Sequence, residues 1–469
     1  AVIDDMLLQG KIINSNGNYY LVKAFAQEDE TARSIARLLC RPVERVDVQD
    51  LLTRVRRQLG VELSLRQTEA VHMVFRSDLS IITGSPGTGK TTVLKAVIEV
   101  FKLLKPSEKI LLAAPTGRAS RRMAESTGVN NASTLHSLLG LFGEDGGFRK
   151  GEEDMLDAGL IIVDESSMMD MWLARKFFSR IGPDTKVLLV GDADQLQSVG
   201  AGDVFRELIN CGLIPVTVLN EIFRQKKDSL IAYNAQKINN NDTSFFYGND
   251  FTVCKCANQE EAAEHIRNIY LAQVKQYGVD RVQILSPFRS TGAASADQLN
   301  EAIRELVNPQ TEEADLKVGS LYFRVGDKIM QNKNSTKASN GDIGFIRSFR
   351  HDERDGMRIS IQFSPTRVVE YSMEEMGHVE LAYATTVHKA QGSEFDVVIF
   401  PLLRSHARML TRSLVYTAIT RAKAKVILVG QIGMLYMAVH KDDTGKRNTQ
   451  LGRRIALYVN TFKVQKRSA

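Results

Sequence analysis

The segment Gly84-Ser85-Pro86-Gly87-Thr88-Gly89-Lys90-Thr91-Thr92 constrains this chain more than any other, because very few backbones can accommodate it. It follows the apolar run SIIT, which reads as a buried strand, and opens the segment KTTVLKAVIEVFKLLK. There Val93, Leu94, Val97, Ile98, Phe101 and Leu104 recur at three- and four-residue intervals, predicting a helix with one stripe packed on a sheet. Between strand and helix, glycines let successive backbone N–H groups converge on a phosphate at a helix N-terminus. Lys90 is then placed to reach the β and γ oxygens, and the Thr91 hydroxyl to coordinate Mg²⁺. Gly84 to Thr92 are therefore the expected nucleotide-phosphate site, with ATP and Mg²⁺ as the expected cofactors.

Hydrolysis of a phosphoanhydride needs more: an acid to hold the metal and a group to take a proton from water. The run LIIVDES supplies Asp164 and Glu165 at the C-terminal end of a buried-strand pattern, Asp164 for the Mg²⁺ shell and Glu165 as base. Alone, two acids after an apolar strand read more often as a helix start; the upstream phosphate loop reverses that in favour of the chemical reading. GDADQLQSVG follows another strand and puts Gln195 at the rim where such sheets bind ligands, as a γ-phosphate sensor. Arg224 in NEIFRQ and Arg421 in TAITRAKAK are candidates to stabilise charge on the transferred phosphoryl group.

From Ser80 to Asn220, short β-rich runs alternate with amphipathic stretches, which predicts a parallel sheet covered by helices on both faces. A second α/β set, VQILSPF, DVVIFPLL and KVILVG, has no phosphate loop of its own. Between its strands, GDKIMQN, NGDIGFIRSF, MRISIQF and RVVEYSM alternate in the strand period with Gly-Asp turns, predicting a small β-barrel insert at about 330–380. Near the start, LLQGKIINSNGNYYLVKAF reads as a hairpin turning at Asn16-Gly17, followed by a helix. A chain of 469 residues exceeds one core, so more than one domain is expected.

The net charge of +6 is compatible with a polyanionic partner. Four cysteines in so long a chain form no disulfide framework, and Cys254-x-Cys256 has no second pair or histidine at zinc spacing. A reducing, cytoplasmic setting is expected. No run approaches the ~18 apolar residues of a membrane helix, and the N-terminus carries no secretion signal. The first residue is Ala, so the chain is expected to begin inside a longer protein.

Taken in order, these motifs resemble the superfamily 1 helicases from about Leu65 to Gly430. LSLRQTEAV resembles the adenine-recognition segment and implicates Gln67; APTGRAS and STLHSLLG resemble strand-contacting segments; LAYATTVHKAQGSEFDVVI and LVYTAITRAKAKVILVG look like the last two helicase motifs, placing Gly392 and Glu394 near the ribose and Arg421 near the γ-phosphate. The resemblance implies an α/β fold of two RecA-like P-loop domains with ATP between them. Within the superfamily, SPGTGKTT, PTGRAS, VDESSM and GDADQLQSVGAGDVF resemble the RecD-like group, whose members move 5′ to 3′ on single-stranded DNA and unwind duplex. LFGEDGGFRKGEEDM, 141–155, occupies the place of that group's strand-splitting pin, and the 330–380 insert resembles its SH3-like barrel. The implied organisation is an N-terminal remnant of a longer domain at 1–60, a first motor domain at 61–225 and a second at 226–469. Single-stranded DNA and duplex junctions are the implied partners, and a monomer is expected.

A tracking enzyme must hold a strand without reading its sequence, which calls for hydroxyls, amides, cations and a few aromatic faces. The candidates are Thr116, Arg118, Thr134 and His136 in the first domain and Phe288, Arg289, Asn332, Asn334, Thr386, His388 and Lys389 in the second. Backbone contacts leave RNA-directed or conjugative-transfer relatives open as alternatives. A nucleotide-gated binding module without unwinding would be expected to lack one of Lys90, Glu165, Gln195 or Arg421, and none is missing.

Overall fold

Strands with no polar alternation persist only where both faces are covered, and the apolar runs of this chain meet that condition in two parallel sheets. The computed structural model describes residues 2–129, 131–142, 147–148, 154–221, 229–311, 315–352, 356–442 and 447–468. Two units are present: Ala1–Pro115, Ala119–Gln225 and Thr444–Ala469 make the first, and Thr116–Arg118 with Lys226–Asp443 the second.

The sheet of the first unit has six strands in the spatial order Val216–Leu219, Leu79–Gly84, Lys186–Gly191, Leu160–Val163, Ile110–Ala114, Ala132–Thr134, all parallel. Successive residues point to opposite faces: Ile81, Ile161 and Leu189 enter one core, Ile82, Ile162 and Leu188 the other. The helix Lys90–Leu104 packs its expected stripe into the second core, with Val93, Leu94, Val97, Ile98 and Phe101 all buried. Each such side chain contributes about 1.5–3 kcal/mol.

The N-terminal hairpin forms as expected, Ile12–Ser15 against Asn18–Leu21. Asn16 and Gly17 both take positive φ, 53° and 82°, the requirement of a two-residue turn of this hand. Its following helix, Val22–Leu39, packs against the last helix, Leu451–Ser468. Glu28 joins the two, accepting from Arg454 Nε at 2.9 Å, from Thr449 Oγ1 at 3.0 Å and from the Gln450 N–H at 3.1 Å. Residues 447–468, grouped by sequence with the second domain, thus lie in the first unit, through pairings over four hundred residues apart that leave no local trace.

In the second unit five parallel strands run in the order Phe251–Lys255, Ala422–Gly430, Phe395–Leu402, Val282–Ser286, Ala384–Thr386. The insert is a five-stranded antiparallel sheet ordered Arg367–Ser372, Gly356–Ser364, Ile343–Asp352, Lys328–Gln331, Val379–Leu381. Ile346, Ile359, Ile361 and Tyr371 of the insert share a core with Ile284, Val397 and Ile399 of the parallel sheet. A fully buried lysine anchors it: Lys328 Nζ donates to the carbonyls of Val279 and Val282, each at 2.9 Å. Burial, aided by the nearby Arg118 charge, pushes that ammonium down to about 7. No helix among the described residues is long and apolar enough to cross a membrane.

Candidate nucleotide site and strand-contact residues

The phosphate loop leaves the C-terminal end of Leu79–Gly84 and enters the helix Lys90–Leu104 through Gly87 and Gly89, whose φ values of 87° and 81° few other residues adopt. Gly84 is required for another reason: a Cβ there would fall 2.6 Å from the Leu219 carbonyl oxygen and 2.8 Å from Thr88 Oγ1. Lys90 Nζ donates to the carbonyls of Gly84 and Ser85, the latter at 3.3 Å, so the ammonium lies along the loop it is expected to serve. Thr91 is exposed at the first turn and Thr92 half-buried behind it.

Gln67 is buried and doubly engaged. Its Oε1 accepts from the Ser64 N–H at 3.0 Å in a capping box that starts the helix Leu65–Phe75, and its Nε2 donates to the Thr88 carbonyl at 3.3 Å. An amide has two N–H bonds and two lone pairs, so one of each is left over while the others hold the helix start and the phosphate loop.

The acids of VDES sit where the strand Leu160–Val163 ends. Asp164 Oδ1 accepts from the Glu165 N–H at 2.8 Å. Burial raises the Asp164 pKa and the Glu165 carboxylate adds to it, against the Arg122 and Lys90 cations and that backbone N–H. Glu165 is 7% exposed and takes left-handed backbone angles, φ 51° and ψ 37°, at a cost of about 1–2 kcal/mol for a residue with a Cβ. Its Oε1 accepts from Arg122 Nη2 at 2.9 Å.

Gln195 is also buried. Its Nε2 donates to Asp192 Oδ2 at 3.1 Å, while Oε1 has no hydrogen-bond partner among the described residues, an orphan acceptor that suits a water or a ligand hydroxyl. The next loop is clamped by Arg447, which donates to the carbonyls of Ser198, Gly200 and Gly202 and to Ser198 Oγ. The set of backbone N–H groups, ammonium, hydroxyl and ionisable carboxylate fits a nucleoside triphosphate with Mg²⁺, a hard cation that takes oxygen ligands. Clusters of three or more metal-ligating His, Cys, Asp or Glu are absent among the described residues.

Arg421 ends the helix Arg412–Thr420 in the second unit and is 2% exposed. One terminal nitrogen donates to the Ser393 carbonyl at 3.2 Å; Nε is buried without a hydrogen-bond partner among the described residues. Gly392, at φ 71°, turns the chain there, and the Glu394 carboxylate faces Lys423 at 3.3 Å. Arg224 lies outside the described residues, as do 143–146 and 149–153 of the expected pin. What is described of that segment pairs antiparallel, Leu141–Phe142 with Gly147–Phe148.

Of the strand candidates in the first unit, Thr134 uses its hydroxyl oxygen to cap the turn Leu135–Leu138, accepting from the Ser137 N–H at 3.0 Å. His136 lies against Trp172, ring centroids 6.1 Å apart, and burial lowers its pKa. In the second unit, with which Thr116 groups, Arg118 donates to the Glu394 carbonyl at 3.0 Å. Phe288 is half-buried beside His406, Asn334 accepts from the Asn340 N–H at 2.8 Å, and the Asn332 N–H donates to the His378 carbonyl at 2.8 Å. Thr386 and Lys389 line one shallow pocket with Arg289; His388 is half-buried one position away from Lys389.

Three family models match the chain: an AAA domain at residues 67–201, an ATP-dependent RecD-like DNA helicase SH3 domain at 299–363, and a UvrD-like helicase C-terminal domain at 381–429. The ATP-dependent RecD2 DNA helicase of Deinococcus radiodurans is 33% identical over 442 residues, 94% of this chain and 59% of that one. These matches make the chain similar to the RecD-like superfamily 1 helicases. The RecBCD enzyme subunit RecD of Mycolicibacterium smegmatis is 29% identical over 418 residues, 80% of this chain and 72% of that protein. Among solved structures, the Pif1 helicase from Candida albicans shares the fold at 19% identity and a TM-score of 0.50, over 86% of this chain and 99% of that one. This RecD-like chain spans 59% of the length of its Deinococcus relative. The SH3 match begins earlier than the expected insert and overlaps it at 330–363, whereas the antiparallel sheet, from Lys328 to Leu381, spans it. Sequence reasoning missed Arg122, Arg447, Glu380 and Thr385; a helix carrying Arg118, Arg121 and Arg122 after a strand end was the available hint for the first.

Proposed function

We propose that this chain is a DNA-stimulated ATPase that moves 5′ to 3′ on single-stranded DNA and unwinds duplex. The observation that carries the reading is the convergence, at the C-terminal rim of one parallel sheet, of the phosphate loop, the Asp164–Glu165 pair and the half-satisfied Gln195. In this reading the loop N–H groups and Lys90 hold the β and γ oxygens, and Thr91 and Asp164 hold Mg²⁺, which supplies charge neutralisation at the phosphates. Glu165 accepts the proton of the attacking water, and Gln195 orients that water through its orphan Oε1. Arg421 and Arg224 contribute positive charge to the transferred phosphoryl group. Gln67 meets the adenine, Gly392 and Glu394 the ribose. Names of two relatives, a RecD2 DNA helicase and a RecBCD subunit, support DNA as the track.

Strand displacement on 5′-tailed and 3′-tailed duplexes tests activity, substrate and polarity together. ATP-dependent displacement of the 5′-tailed duplex alone is expected; preference for the 3′ tail overturns the direction, and no displacement of either overturns the function. The pin reading is tested on the same substrates by replacing residues 144–149 with a two-residue turn. If the hairpin splits the duplex while the motor pulls one strand, unwinding falls by an order of magnitude or more while DNA-stimulated ATPase stays near wild type. Equal unwinding by the shortened chain makes the segment an ordinary surface loop.

A further inference from the structure

The shallow pocket of the second unit is lined by Arg289, Asn300, Glu380, Thr385, Thr386 and Lys389, among others. Its floor is rigid. Asn300 donates to the carbonyls of Leu381 and Ala384 at 3.1 and 2.9 Å and accepts from the Ala384 N–H at 2.8 Å, locking two strand ends against its helix. Two cations converge on one carboxylate: Arg289 Nη2 lies 3.3 Å from Glu380 Oε2, and Lys389 Nζ bonds Glu380 Oε1. A second acid, Asp297, stands 3.9 Å from Arg289 and is half exposed. Beside them Thr385, 3% exposed, has an Oγ1 with no hydrogen-bond partner among the described residues. A buried hydroxyl normally finds a partner, so this one marks a place where a ligand acceptor or donor belongs.

We propose that Glu380 is an internal competitor for a strand phosphate: it occupies the fork of Arg289 and Lys389 that a phosphodiester takes over, with Thr385 as a further hydrogen-bonding group to that phosphodiester. This rests on the strand-tracking function proposed above. A carboxylate and a phosphodiester each present one negative charge on two oxygens, so the exchange preserves the geometry of the fork. It leaves Glu380 without its partners, and that penalty sets the grip. A motor must release each phosphate as readily as it binds it, and a built-in rival for the cations supplies a weak, sequence-blind hold.

The test is binding of a fluorescein-labelled oligo-dT by the full chain across a NaCl series. Glu380→Gln keeps the shape and removes the rival charge; its affinity at about 0.1 M salt should rise severalfold, and the log–log salt slope should steepen by up to roughly 0.7, the share of the one phosphate held in the fork. Thr385→Val replaces the orphan hydroxyl by a methyl group; melting temperature should hold or rise, while affinity falls about fivefold, the loss of one hydrogen bond. Glu380→Gln binding no tighter than wild type, or Thr385→Val binding as tightly, overturns the proposal while the motor reading stands. Wild-type chain that does not bind oligo-dT at all overturns both.

Discussion

Lys90→Ala is expected to lower DNA-stimulated ATP turnover by about 10²–10³-fold or more while leaving single-strand affinity within about twofold. The lysine is the cation of the phosphate loop, and its ammonium already lies along the Gly84 and Ser85 carbonyls, so it needs only a short swing to reach a terminal phosphate. Its hydrogen bonds go to its own loop, and it neither partners Thr134 nor lines the pocket of Arg289, Thr386 and Lys389. Lys90→Arg should be nearly as damaging, since a planar five-donor fork cannot take the place of a compact ammonium between glycines. Turnover within tenfold of wild type in Lys90→Ala would remove the loop from the nucleotide site. The two readouts, steady-state ATPase and oligo-dT binding, separate a chemical loss from a lost track.

That site was legible because its signals are local. Gly87 and Gly89 announce a backbone with positive φ, the continuous apolar runs announce strands buried on both faces, and Asp164, Glu165 and Gln195 follow strand ends by one to four residues. The antiparallel insert was equally readable, because Ile359 and Ile361 alternate with Ser360 and Gln362 in the strand period. What escaped the sequence was everything decided by side chains meeting from distant segments. Arg122 reaches Glu165 across 43 positions, and Glu28 gathers Arg454, Thr449 and Gln450 from the far end of the chain. Motif position makes Thr134 a strand-contact candidate; the structure adds that its hydroxyl oxygen accepts as a helix cap, which the motif does not announce. Motif position indicates which residues gather at a site; it does not show which of their hydrogen bonds are already committed.

Glu165→Gln should bind ATP with an affinity close to wild type and turn it over about 10²–10⁴-fold more slowly, the span of a lost general base. The amide matches the carboxylate in size and keeps an oxygen for Arg122 Nη2, now 2.9 Å from Oε1, so the side chain stays in place. It also inherits the left-handed backbone, φ 51°, at no added cost, because Gln and Glu meet the same Cβ clash. Fold and phosphate loop are therefore untouched; what is lost is the capacity to accept a proton and, with the charge, one of the two causes that hold the Asp164 pKa up. Kinetically the change belongs in kcat, with KM for ATP moving little, the pattern of an interaction made only in the transition state. Glu165→Ala, by contrast, leaves the Arg122 cation facing a gap beside Asp164 and should disturb nucleotide affinity as well. Normal turnover by Glu165→Gln would show that the proton goes elsewhere, and equal losses in kcat and affinity for both variants would make Glu165 a structural acid that holds Arg122.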